Sequence, residues 1–193
     1  MKKFGLFALV VAASSLFVAN AHAVDLNGKK GIGYTETINN VNGFNFQFGT
    51  GNLILEGILG LTMGSSKDAD AMGRMLTLGL GGHFQALRAE AAAWTIGARI
   101  NVGNAVGETP KGGDAPDGAT EFGLSIPTRV YWFPNKHISL HVETGIDIQF
   151  PPKEGAVTST AENPLIGKPG VKPEGSAFVI FDVGTGIGMT FWW

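Results

Sequence analysis

The 193-residue sequence contains no cysteine, which excludes a disulfide framework, a thiolate metal site and a lipidated N-terminal cysteine. Basic residues are also few, since 14 Lys and Arg stand against 16 Asp and Glu. No basic patch or tail suggests binding to nucleic acid. After residue 23, no stretch reaches the ~18 apolar residues of a transmembrane helix. If the mature chain crosses a membrane, it must therefore do so as a closed barrel, because only helices and closed barrels satisfy every backbone group in lipid.

The first 23 residues have the pattern of a secretory signal peptide. Lys2 and Lys3 form a charged start, residues 4–19 are apolar or weakly polar, and Ala21-His22-Ala23 matches an A-x-A cleavage signal. A membrane anchor is the alternative, but the apolar run is short and the cleavage signal follows it directly. We expect a cleaved signal peptide over 1–23 and a single mature domain over 24–193.

Most of the mature chain consists of segments in which apolar and polar residues alternate. A period of two is typical of β-strands, because successive side chains point to opposite faces of the sheet. The 29 glycines argue against a mainly helical protein, since each glycine inside a helix costs about 1 kcal/mol relative to alanine. Eight alternating segments can be marked, at 29–38, 41–48, 53–63, 74–85, 89–102, 120–133, 137–150 and 176–193.

The connections between these segments alternate in length. Short turns follow the second, fourth and sixth segments, whereas long connections follow the third, fifth and seventh, at 64–73, 104–119 and 151–175. Short turns at one rim and long loops at the other are typical of outer-membrane barrels with both termini in the periplasm. We therefore predict an all-β fold, an eight-stranded antiparallel up-and-down transmembrane β-barrel in the bacterial outer membrane.

Two soluble folds are the alternatives to a membrane barrel. A lipocalin-like barrel or a β-sandwich would turn its apolar face inward and its charged residues toward water. Here the face opposite the apolar stripe carries mostly Gly, Thr, Ser and isolated charges, fewer than a solvated face normally carries. This composition and the predicted signal peptide favour lipid outside the barrel.

The last nine residues alternate strictly, and the chain ends on an aromatic residue. Thr185 and the apolar Ile187, Met189, Phe191 and Trp193 share one face, while small residues and a second tryptophan share the other. This pattern resembles the C-terminal strand of the small eight-stranded outer-membrane barrels, the opacity/OmpX-like superfamily, although Phe is the usual last residue there. The resemblance extends over the whole mature chain. It implies that the barrel-assembly machinery reads Ile187, Met189, Phe191 and Trp193 as an assembly signal, and it implies no activity.

Several charged residues and one histidine fall at inward positions of the predicted strands. If Trp132 pairs with Ile138 across the turn, Arg129 faces His141 and lies diagonal to Glu143, within reach of a long side chain. Isolated charges in a narrow lumen are costly, so we expect them to pair. The pairs would form either a plug of side chains, which we favour for eight strands, or a selective pore. The predicted lumen charge network comprises Glu56, Arg99, Arg129, His141, Glu143, Asp147 and Asp182.

Other motifs carry little chemistry. His137-Ile138-Ser139 is an H-x-S element with a spacing similar to that of lipid A deacylase barrels, but it lies beside a predicted periplasmic turn, and we expect both polar side chains to point into the lumen. The acidic pairs of loops 64–73 and 104–119 have no EF-hand spacing. We expect no catalytic residue, no metal site and no cofactor.

The sequence favours a structural or interaction role. We expect an integral barrel that contacts outer-membrane lipid and lipopolysaccharide and displays its long loops, with loops 104–119 and 151–175 available to an envelope protein partner. A narrow channel for small solutes is the main alternative, and a lipid-modifying enzyme is a weaker one.

Overall fold

The computed structural model describes residues 24–38, 41–64, 69–71, 73–106, 109–112, 118–150 and 180–193. The predicted signal peptide 1–23 and the loop 151–175 lie outside the described residues. Every regular element within the described ranges is a β-strand. The ten strands are β1 Lys30–Glu36, β2 Gly43–Thr50, β3 Leu53–Gly64, β4 Ala69–Ala71, β5 Gly73–Arg88, β6 Ala92–Val106, β7 Thr109–Pro110, β8 Ala119–Asn135, β9 Ile138–Phe150 and β10 Ile180–Trp192.

Eight of these strands form one closed antiparallel barrel, in the order β1-β10-β9-β8-β6-β5-β3-β2. Each barrel strand pairs with its neighbours in the chain, and β10 pairs with β1 to close the sheet. This is the predicted eight-stranded up-and-down barrel, and the fold prediction is confirmed. Among the described residues, no helix is both long and apolar enough to cross a membrane.

The two ends of the barrel differ in their connections. Short turns at residues 51–52, 89–91 and 136–137 lie at the end that also holds residues 24–29 and Trp193, which we call the turn end. Gly51 has a φ of 56° in the first of these turns, a left-handed conformation that favours glycine. The opposite, loop end carries the long connections.

Two of the long connections are more ordered than the sequence suggested. Residues 64–73 and 104–119 were expected to be loops, but β3, β5, β6 and β8 extend into them. The short strands β4 and β7 also pair there as a separate two-stranded sheet. Strand pairing in these hairpins therefore extends beyond the segments in which apolar and polar residues alternate.

The side chains of the barrel wall have reversed polarity relative to a soluble protein. Leu61, Leu80 and Ile100 on the outer surface are 65%, 58% and 62% exposed. Asn45, Thr95 and Ser125, at inward positions of β2, β6 and β8, are fully buried. The strict burial alternation of β2, from Gly43 to Thr50, shows the same pattern within a single strand. An apolar exterior around a polar interior is the arrangement that a barrel in lipid requires.

The hairpin between β8 and β9 departs from the predicted register. The segments marked in the sequence left residues 134–136 for the turn and suggested that Trp132 pairs with Ile138, but Trp132 pairs with Leu140 and the turn lies at 136–137. Phe133 and Pro134 together oppose the single residue Ser139, which is a β-bulge. Because Pro134 has no N–H to donate to the ladder, a bulge accommodates it.

Candidate functional site

Two arginines and two glutamates meet in the centre of the lumen, and we call them the Arg–Glu lattice. Glu56 lies on β3, Arg99 on β6, Arg129 on β8 and Glu143 on β9. In the barrel order, three strands lie between β3 and β9 in either direction, so the two carboxylates come from opposite walls. All four side chains have zero exposure.

Each arginine of the lattice bonds both glutamates. Arg129 donates from Nη1 to Glu56 Oε1 at 2.6 Å, from Nη2 to Glu56 Oε2 at 2.9 Å, and from Nε to Glu143 Oε2 at 2.6 Å. Arg99 donates from Nε to Glu56 Oε2 at 3.2 Å, and from Nη1 and Nη2 to Glu143 at 3.1 and 2.5 Å. Two positive and two negative charges thus cancel within the lattice, and the ion pairs cross the full width of the lumen.

Further hydrogen bonds satisfy the remaining capacity of the carboxylates. Gln47 Nε2 donates to Glu56 Oε1 at 3.1 Å, and the backbone N–H of Ile38 donates to Glu143 Oε1 at 3.1 Å. Arg129 Nη1 also donates to Tyr131 Oη at 3.0 Å. Buried ion pairs are tolerated when their geometry is good and their other polar atoms are bonded, and both conditions hold here.

The structure places Arg129 directly opposite Glu143, not opposite His141 as the sequence suggested. The bulge at residues 133–134 shifts the register, so that His141 faces Tyr131 instead. His141 lies outside the lattice. Its Nε2 is 3.1 Å from Thr35 Oγ1, and its ring centroid is 5.1 Å from that of Tyr131.

His83 joins the lattice although the sequence analysis did not include it in the charge network. Its Nε2 lies 3.2 Å from Glu56 Oε2, and its side chain is fully buried. Since a carboxylate can only accept, Nε2 carries a proton and is the donor in this contact. The inward position of His83 on an alternating strand was the signal for this contact, but alternation does not show which inward side chains touch across a lumen.

Asp147 lies in a second polar layer of the lumen. Asp147 is 1% exposed and accepts a hydrogen bond from Ser125 Oγ at 3.1 Å, and Ser125 in turn accepts one from Asn101 Nδ2 at 2.8 Å. This polar layer lies nearer the loop end. Asp182 is opposite Asp147 in the β9–β10 register, and its side chain lies outside the described part of the structure. Within the described ranges, no group of His, Asp or Glu side chains could hold a metal ion.

An apolar layer fills the turn end of the lumen, which the sequence analysis did not anticipate. Its centre is Trp192, which is fully buried and donates from Nε1 to Ser139 Oγ at 2.9 Å. Residues 24–29 fold across this end, where the Val24 N–H donates to Ala89 O at 3.2 Å. The apolar layer consists of Leu26, Ile54, Ala93, Tyr131, Phe133 and Trp192.

The H-x-S element does not form a catalytic pair. Ser139 is buried in the lumen, where it accepts the Trp192 hydrogen bond. His137 was expected to point inward, but it lies exposed in the turn, stacked on the outward Phe191 with ring centroids 6.0 Å apart. The expected inward position of His137 is therefore wrong, because His137 belongs to the turn at 136–137 and not to the alternating strand.

The four residues of the C-terminal pattern lie on the outer surface. Ile187 and Met189 are 59% and 54% exposed, and Phe191 and Trp193 are 50% and 55% exposed. Trp193 is tied to β1 by two backbone hydrogen bonds with Lys30, of 2.9 and 3.1 Å. The closing strand therefore presents its apolar face to the surroundings of the barrel.

A closed barrel with an apolar outer surface and buried charges inside is an integral β-barrel of the bacterial outer membrane. The architecture confirms the resemblance to the small eight-stranded outer-membrane barrels at the level of the fold. No protein-family model matches the sequence, and no curated protein matches it.

Solved structures that are similar to this chain include the following three. The N-terminal β-barrel domain of Pseudomonas aeruginosa OprF aligns with a TM-score of 0.47 and 10% identity, over 86% of this chain and 98% of that one. Ail, the attachment invasion locus protein of Yersinia pestis, aligns with a TM-score of 0.45 and 13% identity, over 86% of this chain and 99% of Ail. Ail in complex with the heparin analogue sucrose octasulfate aligns with a TM-score of 0.47 and 13% identity, over 87% and 100%.

Proposed function

We propose that the protein is a non-conducting outer-membrane barrel with a structural or interaction role. The Arg–Glu lattice carries this proposal, because its ion pairs join strands on opposite sides of the lumen. The apolar layer supports it, since Leu26 and Trp192 fill the turn end with 1% and 0% exposure. An eight-stranded barrel has an interior just wide enough for side chains, so two such layers leave little room for a solute path.

Opening the lattice has a high free-energy cost. Breaking a buried ion pair by removing one partner costs about 3–5 kcal/mol, because it leaves an uncompensated charge in the interior. In the lattice each arginine bonds both glutamates, so a rotamer change of one arginine would leave both glutamates to share the other and one negative charge uncompensated. A stable closed state is the expected consequence.

The proposed role then belongs to the outside of the barrel. The loop end carries segments 64–73, 104–119 and 151–175, and we assign this end to the cell surface and the turn end to the periplasm. The outer wall contacts membrane lipid and lipopolysaccharide. An envelope protein partner would bind through 104–119 and 151–175, and the barrel would anchor that complex.

Export and assembly are part of the proposal. The segment 1–23 would direct secretion, and the barrel-assembly machinery would recognise Ile187, Met189, Phe191 and Trp193. The exposure of these four side chains on one face supports such recognition. No catalytic function is proposed, since Ser139 accepts a hydrogen bond from the Trp192 indole, whereas His137 stacks on the outward Phe191 with its Nδ1 3.0 Å from the Trp192 backbone oxygen.

Conductance of the refolded barrel in a planar bilayer tests the closed lumen. We expect no discrete openings from the wild type, whereas Arg99→Ala or Arg129→Ala should produce openings or a less stable barrel. Val130→Ala is the matched control. It shortens the lipid-facing side chain next to Arg129, and the lumen of this variant should stay closed. Discrete wild-type openings that change with Arg99→Ala and Arg129→Ala would replace the proposal with a narrow channel for small solutes.

A further inference from the structure

Hydrogen-bonding atoms without a partner are concentrated in one block of the lumen. Eight buried side-chain atoms have no hydrogen-bond partner among the residues that the structure describes. Four of the eight belong to three residues on adjacent strands: His83 Nδ1, both amide atoms of Gln85, and Thr95 Oγ1. We call these three residues the polar block.

The register shows that the polar block is contiguous. Gln85 and Thr95 are directly opposite each other across β5 and β6, and His83 is opposite Gly97 two positions further along. Gly97 has no side chain, so the imidazole leans onto β6, and a Cβ at Gly97 would lie 2.6 Å from His83 Nδ1. The unpartnered nitrogen therefore lies against β6, two positions from Thr95, which pairs with Gln85.

The polar block is enclosed by the two layers described above. Thr95 pairs with Arg129 of the Arg–Glu lattice, and Ala93, two residues before Thr95, belongs to the apolar layer. His83, Gln85 and Thr95 are 0%, 4% and 0% exposed. Bulk solvent therefore does not reach these atoms, and a buried polar group left without a hydrogen bond is costly.

The chemistry of the four atoms identifies the ligand. His83 Nε2 donates to Glu56, so in a neutral imidazole Nδ1 is the acceptor, and the Gln85 amide offers one acceptor and one donor. The Thr95 hydroxyl can do both. A cation could satisfy only the acceptors and an anion only the donors. A small neutral molecule that both donates and accepts can satisfy all of them.

We propose that His83, Gln85 and Thr95 form an internal water site between the Arg–Glu lattice and the apolar layer. Buried water typically makes about three hydrogen bonds to polar groups that would otherwise be unsatisfied, which matches this set of side chains. The water extends the hydrogen-bond chain of Arg129, Glu56 and His83 toward the turn end. Because both layers enclose it, it exchanges slowly with solvent.

NMR of the refolded barrel in micelles tests the site, with water itself as the probe. We expect a rotating-frame Overhauser cross-peak between water and the His83 imidazole, and a His83 Nδ1 shift typical of a hydrogen-bonded acceptor nitrogen. Thr95→Val, which is nearly isosteric, should weaken the cross-peak, and Thr95→Val with Gln85→Leu should abolish it. Thr190→Val is the matched control, since Thr190 is equally buried but bonds Asn45 on the other side of the lumen.

Stability provides a second measurement that does not require the double variant to fold. If water bonds the hydroxyl, Thr95→Val lowers the urea midpoint of unfolding. If the hydroxyl is dry and unpaired, the same change raises the midpoint, because it removes an unsatisfied polar group. A raised midpoint, a resolved His83 signal without a water cross-peak, or a cross-peak that persists in the folded double variant would each overturn the proposal.

Discussion

Arg129 and Glu143 lie directly opposite each other on β8 and β9, and Arg129 Nε donates to Glu143 Oε2 at 2.6 Å. The same guanidinium reaches across the lumen to Glu56 on β3. Arg129 thus bonds a residue on the neighbouring strand and also connects opposite walls of the barrel. This double role makes Arg129 the residue whose loss should affect the barrel most.

Truncation of Arg129 should destabilise the barrel strongly. Arg129→Ala leaves Glu56 and Glu143 to share Arg99, so one buried negative charge is uncompensated, and we expect a loss of about 3–5 kcal/mol in the free energy of unfolding. Urea unfolding in lipid vesicles measures it. Val130→Ala, the next residue on the lipid-facing side, should cost clearly less. Equal losses in the two variants would show that the pairing does not stabilise the barrel.

The pairing of Arg129 with Glu143 should appear as non-additivity. Residues in one ion-pair network show interaction energies of about 0.5–3 kcal/mol in double-mutant cycles. We expect Arg129→Met with Glu143→Met to cost less than the sum of the single variants, since each single change leaves an unpaired charge. A cycle of Arg129→Met with Leu61→Ala serves as the control, because Leu61 is 65% exposed on the outer surface. Additive effects in the first cycle would contradict the ion pair.

Gly188 should not tolerate a side chain. A Cβ there would lie 2.9 Å from Thr35 Oγ1 and closer still to the His141 imidazole. We expect Gly188→Ala to cost about 1–3 kcal/mol through overpacking. Gly57→Ala is the control, since its nearest neighbour would be Leu80 Cδ2 at an ordinary 3.7 Å. A Gly188→Ala barrel as stable as Gly57→Ala would mean that the imidazole has free space elsewhere.

The two terminal tryptophans should respond differently to loss of the indole N–H. Trp192→Phe leaves the buried Ser139 hydroxyl without its donor, and we expect a loss of about 1–3 kcal/mol. Trp193→Phe changes a side chain that is 55% exposed on the outer face, and it should have little effect on unfolding. Chemical denaturation of both variants makes the comparison. A larger loss for Trp193→Phe would contradict the inward placement of Trp192.

The absence of cysteine allows a direct test of orientation. Lys111, near the loop end, and Lys136, in the β8–β9 turn, are both exposed. In intact cells, a membrane-impermeant maleimide should label Lys111→Cys and leave Lys136→Cys unlabelled, and permeabilised cells should show both labelled. Labelling of Lys136→Cys alone in intact cells would reverse the proposed orientation.

The alternation of the sequence was sufficient to predict the barrel. It placed Glu56, Arg99, Arg129 and Glu143 on the inner face, and the structure buries all four in the lumen. A period of two assigns a side chain to a face whatever strand lies beside it, so this information is local. The number of strands and the alternation of short and long connections then predicted a closed up-and-down topology.

The contacts between inward side chains could not be predicted from the local sequence. The bulge at Phe133 and Pro134 moved Arg129 from His141 to Glu143, and closure of the barrel brought Glu56 within reach of Arg129 from the far wall. The contact of His83 with Glu56 depends on the register of β3 and β5, and the position of His137 outside the lumen depends on where the turn lies. These contacts depend on register and closure, which alternation does not specify.

The sequence by itself determined the class of protein, because apolar and polar faces repeat along each strand and the chemistry of each face follows from residue type. The tertiary structure alone decided how the lumen is filled. Leu26 precedes the first strand and carries no alternating pattern, yet it packs with Trp192, more than 160 residues further along the chain, in the apolar layer. Such contacts arise only when β10 pairs with β1, which brings residues 24–29 and Trp193 together at one rim.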